Sequence, residues 1–537
     1  MSRWLLTLAL AGAALGGVGC VRRESPVAAG IRDQVLHLGN GAEPQDLDPQ
    51  IIAAYTDYNI VIALFEGLTA IDEKTSQGVP AAAERRDVST DGLVYTFHLR
   101  TNGRWSNGEP VTAVDFVYSI HRMLSPALAA EYSYALWPLK NAAAYNRGQI
   151  SDFAAVGAEA LDDHTLRLTL AQPTPYFIVL VAHQAWLPVH RRTIEKFGRM
   201  DQRGTAWTRP GNLVGNGPFQ LKEWSANERV VVERNPFYWD AARVRLREIV
   251  FHPIDNVDTE ERNFRAGQLH ITYELPLSKI DTYRREQPEA LRIDPFLETV
   301  FLRFNVTRPP LDNKLVRQAL ARAIDREAIV SHVTRGGQAP AYCYTPPNTG
   351  GYTARARTPT DFVEARRLLA AAGYPGGRGF PLLDLQMNTS EINQKIFEAV
   401  QAMWKRELGI SVSLSNQDFR VYLDNQRTLN YAISRARWAG DYADPNTYLD
   451  MFVTGGGQNW TGWGRPEYDR LIAEAGQTLD PGKRFELFQQ AEALLLDEAP
   501  VAPLFFGTRT YLCHPAVKNW PPALLGIHQY KHVYLQL

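Results

Sequence analysis

Two spacings of apolar residues recur along the chain, and they predict where strands and helices lie. Apolar and polar residues alternate one by one in residues 93–100 and 164–171, which is typical of strands with one buried face. Apolar residues recur every three or four positions in residues 114–124, which indicates an amphipathic helix. Because such segments alternate through most of the chain, the pattern predicts an α/β protein with mixed sheets.

Several segments give predictions that the structure can test directly. Residues 216–235 read as a hairpin, with Asn227 and Glu228 between its arms, and residues 269–275 as a strand. Residues 313–334 read as one long helix, and residues 501–512 as the last strand. The amino-acid composition of the sequence changes near residue 297, and this position is the best candidate for a boundary between lobes.

Composition narrows the class of protein. A chain of 537 residues is too long for one hydrophobic core, so we expect two or three domains. The 57 basic and 58 acidic residues nearly cancel, which argues against nucleic acid as a partner. The 12 Trp, 23 Tyr and 22 Phe residues suit both buried cores and ligand clefts.

The N-terminus carries a processing signal. Arg3 precedes an apolar run over residues 4–15, and small residues follow up to Cys20. We expect residues 1–20 to be a secretory signal peptide, Cys20 to be lipidated, and residues 21–34 to form a tether. The motif resembles a bacterial lipobox, although Gly17 stands where a branched apolar residue is usual. No later segment has 18 uninterrupted apolar residues, so we expect no membrane-spanning helix after it.

Cysteine and histidine patterns predict neither a metal site nor a cofactor. Cys343 and Cys513 remain after the signal, and their spacing leaves open whether they pair. The twelve histidines are scattered along the sequence, and no CxxC, HExxH or Walker motif occurs.

Four stretches carry a resemblance to a known family. They are residues 91–123, 216–240, 311–330 and 435–445, the last reading RARWAGDYADP. They resemble the signature of the family 5 extracellular solute-binding proteins of ABC importers, of the oligopeptide-binding type. The likeness runs from about residue 35 to the C-terminus. It implies an α/β, two-lobed periplasmic-binding-protein fold (type II, cluster C-like) with an extra inserted domain.

The resemblance also implies how the chain is divided. Lobe I would comprise residues 35–66, 191–297 and 508–537 together. The inserted domain would be residues 67–190. Lobe II would be residues 298–507, which agrees with the change of composition near residue 297.

Such a protein is a receptor and not an enzyme. The resemblance implies that it captures short peptides in the cleft between its lobes and delivers them to an ABC permease and its ATPase. We expect a monomer, held by its lipid at a bacterial membrane and facing the periplasm or the exterior. Three alternatives remain: the same fold with a sugar, nickel chelate, haem or murein peptide as ligand, a secreted peptidase, and a structural envelope lipoprotein. No GxSxG, HExxH or Cys-His signature supports the peptidase.

The resemblance implies that Asp441 binds the α-ammonium group of the peptide. A charge removed from water needs an opposite charge and hydrogen bonds, and a carboxylate supplies both. Trp438, Ala439 and Gly440 precede Asp441, and we expect them to exclude water and to leave room for the ligand backbone. The alternative is that Asp441 caps the helix starting near Pro445, a position for which Asp444 is better placed.

Arg435 matches an arginine that receives the carboxylate end of certain ligands in relatives. A guanidinium group suits a carboxylate because its donors form a fork. The alternative is a structural ion pair within lobe II. Asn393, Gln426 and Thr334 stand where relatives have histidine, arginine and lysine, so the resemblance does not predict the preferred ligand length.

Other matched positions would complete the pocket. Glu298 and Ala439 replace a cysteine pair of some relatives, and Glu298 and Arg303 add charges that either pair or tune side-chain preference. Ala53 and Tyr55 would pair with the ligand through their main chains, whereas any single aromatic residue fits a core as well as a wall. The matched wall and polar positions are Tyr132, His183, Tyr273, Phe296, Phe301, Phe419, Trp438, Trp460, Asn388, Asn393 and Asn459.

Overall fold

The computed structural model describes residues 24–537. The predicted signal peptide over residues 1–20 and the predicted lipidation of Cys20 lie outside these residues. Within residues 24–537, no helix has the length and apolar character needed to cross a membrane.

The strands form three larger sheets and two small pairs. A four-stranded mixed sheet has the order β1-β10-β9-β8, a four-stranded antiparallel sheet β4-β5-β7-β6, and a six-stranded mixed sheet β12-β16-β11-β15-β13-β14. The small pairs are β2-β3 and β17-β18. The bounds are β1 (Val35–Gly39), β2 (Thr69–Ile71), β3 (Gly78–Pro80), β4 (Ala83–Val88), β5 (Val94–Leu99), β6 (Ala158–Asp162), β7 (Thr165–Thr169), β8 (Phe219–Ser225), β9 (Arg229–Arg234), β10 (Glu248–His252), β11 (Leu291–Phe304), β12 (Ala339–Pro340), β13 (Leu383–Asn388), β14 (Val412–Gln417), β15 (Ile433–Ala439), β16 (Val501–Leu512), β17 (Val517–Lys518) and β18 (Tyr534–Leu535).

The helices pack on these sheets, and several start at polar side chains that cap them. In α3, for example, Thr112 N–H donates to the Asp115 carboxylate at 2.8 Å, which fixes the first turn. The bounds are α1 (Pro26–Asp33), α2 (Tyr55–Leu64), α3 (Ala113–Leu124), α4 (Ala142–Asn146), α5 (Phe177–Leu180), α6 (Arg191–Phe197), α7 (Val257–Arg265), α8 (Ile280–Glu286), α9 (Lys314–Arg322), α10 (Arg326–Ala328), α11 (Phe362–Ala371), α12 (Glu391–Leu408), α13 (Phe419–Arg427), α14 (Asn446–Leu449), α15 (Pro466–Gln477) and α16 (Pro481–Glu498).

The long strands β11 and β16 run antiparallel to each other across the predicted boundary between the lobes. Their pairing extends from Leu291 with Leu512 to Arg303 with Val501, and it is interrupted between Pro295 and Thr299. The interruption falls at the change of composition near residue 297. The limits of the lobes stay a prediction. Separate apolar cores lie mainly in residues 68–186, around β1 and β8–β10, and on the six-stranded sheet.

Three predicted elements differ from the structure. The expected helix over 313–334 is broken, because the Asp325 carboxylate accepts the Ala328 N–H at 3.0 Å and starts a new helix. The expected strand over 269–275 makes only isolated bridges at Ile271. Residues 501–512 are not the last strand, since β17 and β18 follow. In addition, α1 lies within the segment assigned to a tether.

The fold brings together residues that are far apart in sequence. Cys343 and Cys513 are both buried and both free thiols, so they do not form a bridge with each other. Four of the scattered histidines form a row. The His37 side chain lies beside His252, with Nδ1 3.1 Å from His252 Nε2. The backbone N–H of His37 donates to His270 Nδ1 at 3.0 Å, and the His514 ring lies against the His270 ring. In residues 24–537 this row is not a group that could hold a metal ion.

Candidate functional site

The end of β15 places Asp441 at the edge of the six-stranded sheet. Gly440 N–H donates to the Leu297 carbonyl at 2.8 Å, and Tyr448 O–H donates to the same carbonyl at 2.7 Å. A Cβ atom at Gly440 would lie 2.9 Å from the Tyr448 hydroxyl oxygen. The glycine is therefore required by the Tyr448 side chain, and its predicted role of leaving room for a ligand is not needed to explain it.

Asp441 has a carboxylate without a cationic partner among the described residues. Tyr134 O–H donates to Oδ2 at 3.3 Å, and the Asp441 N–H donates to Thr447 Oγ1 at 3.3 Å. Burial raises the pKa of Asp441 to about 6, and the Tyr134 hydroxyl opposes this shift. A buried carboxylate with one neutral contact is poorly compensated, and an arriving cation would stabilise it.

Asp444, and not Asp441, accepts a backbone N–H at the start of α14. Its Oδ1 accepts the Asn446 N–H at 2.9 Å at the start of α14. Both carboxylate oxygens also accept from Arg484 at 2.7 Å. Two acids three residues apart thus differ in kind: Asp444 is fully paired within the protein, whereas Asp441 is not.

Asp441 lines a cavity of about 670 Å³ between residues 134–180 and residues 438–458. We call this cavity the aspartate chamber, because its wall contains Asp441 and Asp450 but no Lys, Arg or His. Burial, with the neighbouring Asp441 and Asp444, raises the pKa of Asp450 to about 7. The aromatic wall of the aspartate chamber consists of Tyr134, Trp137, Tyr176, Trp438 and Tyr442.

Tyr132 and His183 lie directly behind this chamber. The Tyr132 ring is 5.8 Å from the Tyr134 ring and 4.9 Å from the His183 ring. His183 Nδ1 accepts the Ala185 N–H at 3.2 Å, and burial lowers the pKa of His183 to about 4. His183 is therefore neutral at pH 7 and supports the tyrosines.

A second cavity of about 590 Å³ lies between residues 257–298 and residues 437–439. We call it the arginine chamber, after Arg437 and Arg509 in its wall. Four predicted site residues line it: Tyr55, Tyr273, Phe296 and Ala439. The Tyr55 and Phe296 rings meet edge to face at 6.1 Å.

Charged neighbours in the arginine chamber are only partly paired. Arg437 Nη1 lies 3.3 Å from Glu298 Oε2, so Glu298 pairs with Arg437 and not with Arg303. Arg303 is buried from solvent, and its Nη1 donates to Gln426 at 2.8 Å.

Arg435 lies on β15 beside two predicted polar residues. Its Nη1 donates to Asn388 Oδ1 at 3.4 Å, and Asn393 Nδ2 donates to the same oxygen at 3.2 Å. Arg435 Nε is buried without a hydrogen-bond partner, and burial lowers the pKa of Arg435. Among residues 24–537 Arg435 has no ion pair, so the structural ion pair considered for it is absent.

The remaining predicted residues line neither chamber. Phe301 is fully buried and packs on Tyr344 at 5.1 Å, so the structure favours a core role for it. Phe419 is 56% exposed at the start of α13. Asn459 donates to three backbone carbonyls, including Trp463 O at 2.8 Å, and holds the local turn. Trp460 donates to Gly457 O within that turn, and Ala53 is exposed before α2.

Sequence analysis missed several site residues, among them Tyr134, Asp450 and Arg509. Tyr134 follows Tyr132 in an aromatic-rich segment, and Asp450 follows Asp441 by nine residues, so each had a local signal. Arg509 had none, because it reaches the arginine chamber only through the pairing of β16 with β11.

Comparison with known proteins places the chain among binding proteins. Residues 77–460 match the model of the bacterial extracellular solute-binding proteins, family 5 Middle. The periplasmic oligopeptide-binding protein OppA of Salmonella typhimurium is 36% identical, over 95% of this chain and 94% of its own. The periplasmic murein peptide-binding protein MppA of Escherichia coli is 35% identical, over 92% of this chain and 91% of its own.

Solved structures of similar proteins superpose on almost the whole of this chain. The unliganded open form of the murein tripeptide-binding protein MppA superposes with a TM-score of 0.81 at 34% identity, covering 94% of this chain and 97% of that one. Haemophilus influenzae OppA in complex with RPPGFSPFR superposes with a TM-score of 0.76 at 32% identity, covering 94% and 99%.

Proposed function

Because the chain belongs to family 5 of the bacterial extracellular solute-binding proteins, we propose that it binds short peptides between its lobes and delivers them to an ABC permease. Family membership and the two-lobed α/β fold are confirmed predictions. The family consists of binding proteins, and we propose that this chain performs no chemistry of its own.

The observation that carries the proposal is the unpaired carboxylate of Asp441. It lies in a cavity with aromatic walls, and among the residues that the structure describes its side chain has only the Tyr134 hydroxyl as a partner. The α-ammonium group of a peptide supplies the missing positive charge and three donors. The other end of a short peptide is a carboxylate, for which Arg435 offers a buried Nε without a partner. Side chains of the peptide would occupy the chambers, while the main chain and the ends set its position.

Binding between the lobes would couple to closure. A ligand that contacts both Tyr134 and Asp441 on one side and Tyr55 and Ala439 on the other joins distant parts of the chain. It stabilises the closed arrangement by its differential affinity for the two arrangements.

The site of action follows from the same proposal. The relatives named above are periplasmic by name, and we propose an extracytoplasmic location for this chain. A lipid at Cys20 would hold it at a bacterial membrane as a monomer, next to its permease and ATPase.

A murein peptide is the second candidate ligand. The likeness to the murein tripeptide-binding protein MppA favours it. Native mass spectrometry of the freshly purified protein distinguishes the two, because a murein peptide carries residues that nutrient peptides lack. A bound sugar or metal complex would contradict both.

Titration calorimetry tests the role of the ammonium group. A tetrapeptide and its N-acetylated form differ by one charge at the end that Asp441 would bind. We expect the free peptide to bind and the acetylated form to lose roughly 100-fold or more in affinity. Equal affinities would contradict the proposal, and so would the absence of binding across peptides of two to eight residues.

A further inference from the structure

Arg509 is a charged side chain of the arginine chamber whose position indicates a ligand. Its Cζ lies 5.2 Å from the centre of the Tyr273 ring and 6.0 Å from the centre of the Tyr55 ring. Nη1 donates to the Gly526 carbonyl at 3.1 Å. The two rings and this one bond hold the guanidinium group in place, and its other donors have no hydrogen-bond partner among the described residues.

No carboxylate of the described chain neutralises Arg509. Asp294 lies opposite it in the pairing of β11 with β16, but the Asp294 carboxylate accepts the Tyr511 O–H at 2.6 Å and makes no ion pair with Arg509. Glu298 pairs with Arg437, and Glu274, also in the chamber wall, is exposed. His528 is nearby, and burial lowers its pKa, which favours the neutral ring.

The arginine chamber is close to Asp441, because Ala439 in its wall precedes Asp441 by two residues. Burial raises the pKa of Tyr55, Arg509 lowers it, and Asp441 raises it. The Tyr55 ring is therefore within electrostatic reach of both charges. A ligand whose ammonium group contacts Asp441 would pass Tyr55 and enter the arginine chamber.

We propose that Arg509 binds a carboxylate group of the peptide ligand, an inference that rests on the proposed function. A planar guanidinium group with free donors suits a carboxylate, which accepts two parallel hydrogen bonds. The carboxylate has two possible sources: the C-terminus of a short peptide, or an acidic side chain of a longer one. Arg509 would thereby determine which lengths or which sequences bind best.

Two matched peptide pairs distinguish the sources. The first pair is trialanine and trialanine amide, which differ at the C-terminal carboxylate. The second pair is two pentapeptide amides with Glu or Gln at the second residue and alanine elsewhere. Titration calorimetry gives a ratio of affinities for each pair, with wild type and with Arg509→Met.

We expect wild type to favour the carboxylate member of at least one pair by about tenfold or more. Arg509→Met should lower that ratio by about tenfold while the uncharged member keeps its affinity; in the first pair, a preference that remains is the part due to Arg435. A change in the first pair identifies the C-terminus, and a change in the second identifies a side chain. Arg292→Met is the matched control, because Arg292 lies on the paired strand β11, outside both chambers, and should leave both ratios unchanged.

Three results would overturn the inference. They are ratios near one in wild type, ratios that Arg509→Met leaves unchanged, and an equal loss for both members of each pair, which indicates a structural role alone. If Arg509→Met does not fold, Arg509→Lys keeps the charge without the fork and should give an intermediate ratio. In all of these cases wild type still binds peptides, whereas failure of the proposed function removes that binding altogether.

Discussion

The aspartate chamber and the arginine chamber have similar aromatic walls and different charges. Asp441 and Asp450 face the first chamber without a cation in its wall. In the second, Glu298 pairs with Arg437 and Arg509 stays unpaired. Rings supply apolar area that tolerates many side chains, whereas unpaired charges select the ends of a ligand. The difference indicates that charge sets the direction of a bound peptide and that the rings accommodate its sequence.

Two buried arginines outside the chambers form ion pairs within the protein. Arg122 is fully buried, and its guanidinium donates to Asp48 at 3.0 and 2.6 Å and to Gln50 at 2.7 Å. Asp444 with Arg484 is a second case. Buried charges are costly unless they are paired and hydrogen-bonded, and among the described residues the Asp441 carboxylate accepts a single side-chain hydrogen bond, from Tyr134.

The largest expected effect separates Asp441 from Asp444. Asp441→Asn should weaken peptide binding by about 3–5 kcal/mol, because the ammonium group would be buried without its partner. The fold should stay intact, since Asp441 has no ion pair to lose. Calorimetry and thermal unfolding measure the two effects.

Asp444→Asn is the matched control and should do the reverse. It leaves Arg484 buried without its carboxylate, so the melting temperature should fall while the folded protein still binds peptides. If both variants lost binding equally, the contrast between paired and unpaired acids would be wrong.

Arg435→Met tests the other end of the ligand. We expect a loss of about 1.5–3 kcal/mol for peptides whose C-terminal carboxylate reaches Arg435, from the loss of a charged hydrogen bond. Peptide amides of the same length should lose little. Calorimetry over lengths of two to six residues would show where the loss is greatest, and no loss at any length would remove Arg435 from the site.

The affinity for peptides should depend on pH, with a smaller effect than these substitutions, and should fall as the pH falls. The pKa of Asp441 is about 6 in the folded, ligand-free protein, and the ammonium group needs the charged carboxylate. Affinity should be constant above about pH 7 and fall by up to about tenfold per pH unit below pH 6. Asp441→Asn should abolish this dependence, and a wild-type affinity that is flat down to pH 5 would contradict the assignment.

The stability of the ligand-free protein should depend on pH in the opposite sense to the affinity. The raised pKa values of Asp441 and Asp450 mean that the folded state binds these protons at higher pH than the unfolded state does. Their contribution to the free energy of unfolding therefore rises as pH falls from about 7 towards 4. Thermal unfolding of wild type and Asp441→Asn across this range isolates the part due to Asp441.

Glu260→Gln should have the smallest effect. The buried Glu260 carboxylate accepts Tyr273 N–H at 2.9 Å and Glu274 N–H at 3.2 Å, which positions the wall of the arginine chamber. Glutamine retains one acceptor oxygen, so we expect peptide binding to weaken by about 0.5–1.5 kcal/mol. This corresponds to an increase in Kd of about two- to tenfold.

Glu261→Gln is its control. The buried Glu261 carboxylate accepts the Tyr283 O–H at 2.8 Å, away from both chambers, so this variant should change stability without changing affinity. Equal effects of the two substitutions on affinity would show that Glu260 does not position the wall.

Local sequence was sufficient for much of the fold, whereas the role of Asp441 was inferred from the family resemblance and stays a prediction. The hairpin over 216–235 is present as β8 and β9, with Asn227 in a left-handed turn. Asp444 was named as the better cap from its place before Pro445, and it does accept the first N–H of α14. Periodicity and capping depend on near neighbours, which a single sequence displays.

Residues joined by distant pairing were not predictable. Arg509 meets Tyr55 and Tyr273 because β16 pairs with β11. The histidine row depends on parallel pairing of β1 with β10 and on a bridge at Ile271. Asp325 ended a helix that apolar spacing would have continued, since a capping carboxylate outweighed the pattern.

A crystal structure of the protein with a bound tripeptide tests the central claim most directly. The account predicts the α-ammonium nitrogen within about 2.7–3.0 Å of an Asp441 carboxylate oxygen and the terminal carboxylate of the peptide on the side of Arg435. A peptide in the reversed direction, or one bound with Asp441 facing solvent, would contradict it.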